Sequence, residues 1–103
     1  MTSFYKKLEG LSHGSGNETD YAEKVAELLS DEFGVSVTIC EIFSKRWSFL
    51  GGAGLSHAGA ARREVFDTGS RCFGLLLYPD PGNSFPWDRL KPLLIKGFSS
   101  FLA

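Results

Sequence analysis

Apolar residues recur at Tyr21, Val25, Leu28, Leu29 and Phe33, all on one side of a helical wheel, and this period predicts an amphipathic helix. Asp20 and Glu23 stand at capping-box spacing near its start, with Asp where Ser or Thr is usual, and Gly34 is placed to end it. Before it, Phe4, Leu8 and Leu11 fall at helical spacing and predict a short first helix, cut off by Gly10 and the polar run "SHGSGNET". That run reads as a flexible linker, so residues 1–17 are expected to be an N-terminal extension made of a short helix and its tether.

The period then drops to two. In "VSVTICEIF", Val35, Val37 and Ile39 alternate with Ser36, Thr38 and Cys40, which predicts a strand; the adjacent Ile42 and Phe43 predict a bulge or strand end near Glu41. "RWSFLGG" follows a short turn at Ser44 and Lys45, with Trp47 and Phe49 on one face and Arg46 and Ser48 on the other, so the two segments predict an antiparallel hairpin. "GGAGLSHAGAAR" is too rich in glycine and alanine for a regular element and is expected to be a long loop. "REVFD" and "CFGLLLY" predict two more strands, the second apolar on both faces from Phe73 to Leu77, as suits a central strand covered on both sides. After the break at "PDPGNSFP", Leu90, Leu93, Leu94, Phe98, Phe101 and Leu102 predict a closing amphipathic helix, interrupted by Pro92 and Gly97. The fold class that follows is α+β, an antiparallel sheet of about four to five strands with N- and C-terminal helices packed on one face.

Composition narrows the class. A chain of 103 residues suits one small domain, and 43% hydrophobic with 14% aromatic content suits a packed core. Eleven basic against twelve acidic side chains, a formal charge of -1 and a pI near 6.1 remove the electrostatic case for nucleic acid or an acidic membrane surface. The opening stretch lacks an apolar run before a cleavage site, and nothing approaches the ~20 apolar residues of a membrane span, so a cytoplasmic address is expected. Cys40 and Cys72 lack the spacing of a disulfide framework or a metal site and sit among strand formers, where small buried hydrophobes are expected.

Asp67-Thr68-Gly69-Ser70 spells the active-site loop of an aspartic protease. That chemistry needs a pair of such loops sharing a proton on an almost all-strand fold. Here the letters lie between two short strands of a chain with good helices, and they predict a hairpin turn in which Gly69 takes a positive φ. The glycine-rich run lacks G-x-x-x-x-G-K-[ST] and the third glycine of a dinucleotide fingerprint. His13 and His57 have no partners at metal spacing, and Ser56 beside His57 points away from it on an extended segment. Trp47 and Trp87 have apolar neighbours and are expected to be at least partly buried. No catalytic constellation is left, and no metal or cofactor is implied. Were a small ligand bound, its site is expected over the sheet beside the glycine-rich loop, built from Trp47, His57, Arg62, Arg63 and Cys72.

Gly34-Val35 at the step from helix to strand, Gly74-Leu75-Leu76-Leu77 after the hairpin, then Phe85, Asp88 and the helix from Leu90 to Leu102, together resemble a GAF domain. The resemblance covers both ends of the chain; the segment that walls the ligand pocket in that family would fall between Leu50 and Arg62, where this chain is short. It implies a reduced GAF/PAS-like sandwich over residues 1–103, working as a dimer that links a ligand site to a partner. No functional residue transfers: the cyclic-nucleotide motif and the bilin-attachment context are absent, and Cys40 and Cys72 do not match the spacing of the free methionine sulfoxide reductase. The expectation is a small non-catalytic regulatory or protein-interaction domain, a homodimer or bound to a protein partner, with Phe4, Tyr5 and Leu8 of the first helix as the contact. The alternatives are a small-molecule sensor or minor enzyme of the GAF-fold reductase type, with its site at the glycine-rich loop, and a dimeric scaffold of roadblock or profilin type.

Overall fold

A computed structural model describes residues 2–54 and 61–101. In chain order these form α1 (Thr2–Gly10), α2 (Glu18–Phe33), β1 (Ser36–Phe43), β2 (Arg46–Ala53), β3 (Arg62–Asp67), β4 (Cys72–Tyr78), a short 3-10 turn at Gly82–Ser84, and α3 (Trp87–Ser99). The second helix is capped by Asn17 and not by Asp20. The Asn17 side chain accepts from the Asp20 N–H at 2.8 Å, and the Asp20 carboxylate reaches back to accept from the Gly16 N–H at 3.2 Å. Two otherwise orphaned donors are thereby paired, so Asp20 keeps a capping-box role from inside the first turn. Gly34 ends the helix at φ 66°, a left-handed cap that closes on the Ser30 carbonyl.

The four strands form one antiparallel sheet in the order β2-β1-β4-β3. The irregularity expected near Glu41 lies instead on β2: the register moves from Ile39 opposite Gly51 to Cys40 opposite Phe49, leaving Leu50 as the extra residue. Ile42 and Phe43 simply continue the alternation, one to each face. The glycine run is also less loop-like than its composition suggests, because β2 continues through Gly51 and Gly52 to Ala53. A Cβ at Gly51 would lie 2.7 Å from the backbone nitrogen of Glu23 and 2.9 Å from the carbonyl carbon of Ala22, so glycine lets the backbone of α2 rest directly on the strand.

All three helices share one face of this sheet. Val37, Ile39, Phe66, Phe73, Leu75 and Leu77 point toward them and are buried, and Phe98 of α3 stacks on Phe73 with ring centres 4.5 Å apart. Tyr21 of α2 meets Phe98 edge-on at 4.9 Å. The first helix is no loose extension: Phe4 and Leu8 are buried in the same core, and Arg89 of α3 lies over the Tyr5 ring at 4.9 Å. Phe101 packs on Tyr21 just past the end of α3, while Leu102 lies outside the described residues. The described residues thus form a two-layer α+β structure with their helices on one side, and β4, apolar on both faces, is fully covered on that side and only partly on the other. Among the described residues no helix is long and apolar enough to cross a membrane.

Candidate functional site

Because side chains alternate along a strand, the residues that do not face the helices form a second surface. Its middle row runs Phe49, Cys40, Gly74 and Val65 across the four strands; one row to either side carries Trp47, Ile42, Cys72 and Asp67, and Gly52, Thr38, Leu76 and Arg63. Phe49 is 65% exposed, Val65 48% and Tyr78 40%. An apolar surface of this kind, left open by the chain's own helices, is the feature of the fold that most needs an explanation.

Trp47 shapes its centre. A Cβ at Gly74 would collide with the Trp47 ring, so the indole starts on β2, crosses over β1 and fills the space a side chain would take on β4. Two strand spacings, ~10 Å, is within reach of a tryptophan only when the far strand carries no side chain there. Cys40, opposite Gly74 on β1, is buried, and burial pushes its thiol pKa up. Cys72 on the neighbouring row is half-buried and faces the open side.

The residues expected to form one ligand site are divided by the sheet. Trp47, Arg63 and Cys72 share the open face, Arg63 exposed at its edge. Arg62 turns to the other side, where its Nε donates to Glu64 at 2.8 Å, its Nη1 donates to the Gly82 carbonyl at 2.8 Å, and its guanidinium lies over the Phe85 ring. Adjacent residues in a strand point to opposite faces, so Arg62 and Arg63 cannot serve the same ligand from one surface. His57 lies outside the described residues.

The Asp-Thr-Gly-Ser stretch is the β3–β4 turn. The Thr68 N–H donates to the Arg71 carbonyl at 2.9 Å, Gly69 takes φ 99°, and the Asp67 carboxylate accepts from the Gly69 N–H at 3.1 Å. The residue just after it does more for the structure than the motif. Arg71 donates to Glu41 of β1 at 2.6 and 2.8 Å and in bidentate fashion to Glu18 of α2, while its guanidinium stacks over Phe73. The hydrogen bonds to Glu41 and then Glu18 hold this guanidinium more firmly protonated than usual. Nothing near Arg71 in sequence announces the network, since its partners lie 30 and 53 residues away.

Sequence reasoning also missed Phe49, Val65, Leu76 and Tyr78 as parts of one surface. The available clue was the doubly apolar "CFGLLLY" in a chain with helices enough for one face only. In comparison with known proteins, no protein-family model, no curated protein and no solved structure matches this chain.

Proposed function

We propose that the chain is a small non-catalytic interaction domain of reduced GAF-like type, that the open face of its sheet is the contact surface, and that a second copy of the chain occupies it. The observation that carries this reading is the exposed Phe49 and Val65 at the two ends of the row, with Trp47 between them over the buried Gly74 and no helix above it among the described residues. Buried helix residues count against the other candidate contact, because Phe4 and Leu8 are already used in the chain's own core.

The pattern of charge favours self-association. On the outer side of β3, exposed Arg63 and Asp67 flank Val65. A two-fold axis crossing the strands at the level of Val65 and Gly74 lays β3 antiparallel over its copy, so Val65 meets Val65, and Arg63 of each chain meets Asp67 of the other. Four strands at ~4.8 Å spacing and about six residues of ~3.3 Å rise give roughly 400 Å² of flat area. Two copies then bury on the order of 1,000 Å², the lower end of specific interfaces, and a micromolar dimer is expected. The two free thiols suit a reducing, cytoplasmic setting.

Sedimentation equilibrium over a concentration series tests this. The wild-type chain is expected to dimerise and Phe49→Lys to stay monomeric with unchanged far-UV circular dichroism. Arg63→Asp alone should weaken the dimer, and Arg63→Asp with Asp67→Arg should restore it. A wild-type monomer throughout, or a Phe49→Lys dimer as tight as the wild type, would refute the proposal.

A further inference from the structure

On the side of the molecule away from the open sheet face, α1, α2 and α3 enclose a cleft of about 200 Å³. Its walls combine Leu8 of α1 and Leu93 of α3 with the polar Ser12 and Ser100, and the exposed Glu9 and Lys96 also line it. Neither charge makes an ion pair among the described residues, although both line the same opening. His13 lines the same cleft.

The floor is Tyr21, whose ring is only 1% exposed. Its hydroxyl lies against Gly97, where a Cβ would collide with the oxygen, so glycine at that turn of α3 makes room for it. That hydroxyl has no hydrogen bond among the described residues. Yet no fully enclosed side-chain oxygen or nitrogen among them lacks a partner, so the Tyr21 oxygen must open into the cleft. A buried phenol normally has a partner, and one left bare in an apolar surround costs free energy unless something else satisfies it. A buried hydroxyl, the apolar Leu8 and Leu93 and an exposed acid and base on one cleft form a graded site for one kind of molecule.

We infer that this cleft binds a small free α-amino acid with a polar side-chain end. The α-ammonium meets Glu9, the α-carboxylate meets Lys96, the methylenes lie against Leu8 and Leu93, and the side-chain end exchanges a hydrogen bond with the Tyr21 hydroxyl. The volume, about seven waters' worth, matches a small amino acid better than a nucleotide or a tetrapyrrole. The site is independent of the sheet-face dimer and stands on the other layer of the fold.

The test is a titration of the isotope-labelled full chain with L-glutamine, followed by amide chemical shifts, with L-norleucine as the apolar counterpart. Saturable shifts are expected at Leu8, Glu9, Tyr21, Lys96 and Gly97, with glutamine bound more tightly than norleucine. Tyr21→Phe, which removes only the unpaired hydroxyl, should keep the fold and abolish that preference, weakening glutamine by about tenfold while leaving norleucine unchanged. Lys96→Gln and Glu9→Gln, at exposed positions, should weaken both amino acids. Shifts that do not saturate or lie elsewhere would overturn the inference, and so would equal affinity of wild type and Tyr21→Phe for glutamine. The latter would leave Tyr21 a core residue whose hydroxyl binds only water.

Discussion

Burial holds the Tyr21 phenol in its neutral form and pushes its pKa up to about 12. In the unfolded chain the same group ionises near 10, so above that pH the unfolded state takes on a charge that the folded state resists. The folded pKa is the higher one. The stabilising contribution is therefore complete below about pH 10 and is lost as the pH rises through about 12, an effect on the order of 2 kcal/mol. Urea midpoints measured across this range should fall more steeply for the wild type than for Tyr21→Phe. Parallel curves would mean that the ring does not resist ionisation. Tyr21 was legible in sequence as a buried position of α2, because its spacing with Val25 and Leu29 sets the buried stripe. That its hydroxyl emerges beside Gly97 was not legible, since the two residues belong to helices brought together only by the sheet beneath them.

Among the elements, α2 is fastened to the sheet in two chemically different ways. Along its length its backbone lies against Gly51 of β2; at its N-terminus Glu18 shares Arg71 with Glu41. The three side chains of this cluster are between 12% and 22% exposed, so the pairing is neither a solvated surface contact nor a fully desolvated one. Arg71→Met would leave two carboxylates facing one another, and a loss of about 2 kcal/mol is expected in chemical denaturation, less than for a fully buried pair. Arg71→Lys should recover only part of it, because an ammonium cannot engage two carboxylates with a planar fork. A neutral effect of Arg71→Met would mean that α2 is held by its apolar face alone. The existence of each element was readable from local periods and stop signals. The Arg71 network, the bulge at Leu50 and the continuation of β2 through Gly51 were not, because each depends on what a neighbouring element presents at that point.

For the molecule as a whole, the two cysteines report on the proposed interface. Cys72 faces the open surface half-buried, whereas Cys40 is buried and its thiol pKa is pushed up by that burial. Site-resolved mass spectrometry after brief treatment with an aromatic disulfide reagent should find Cys72 modified in the Phe49→Lys monomer and protected in the wild-type dimer. Cys40 should stay unmodified in both until the chain unfolds, because a raised pKa leaves little thiolate and burial denies access. Rapid Cys72 modification in a concentrated wild-type sample would mean that partner contact, if any, uses another face.

The sequence alone determined the helices, the two hairpins, the α+β class and the turn at Asp67-Thr68-Gly69-Ser70, because hydrophobic period, caps and turn chemistry act over a few residues. It also marked β4 as apolar on both sides. What covers the second side is a different kind of fact. It depends on how many amphipathic helices the chain can bring back to the sheet and on which face they settle, and here all three settle on one. The tertiary structure alone therefore decided that Arg62 and Arg63 serve opposite surfaces, that Trp47 lies across Gly74, and that Phe49 and Val65 are exposed on the sheet face away from the helices. Burial is a property of pairs of surfaces, and a single strand specifies only its own.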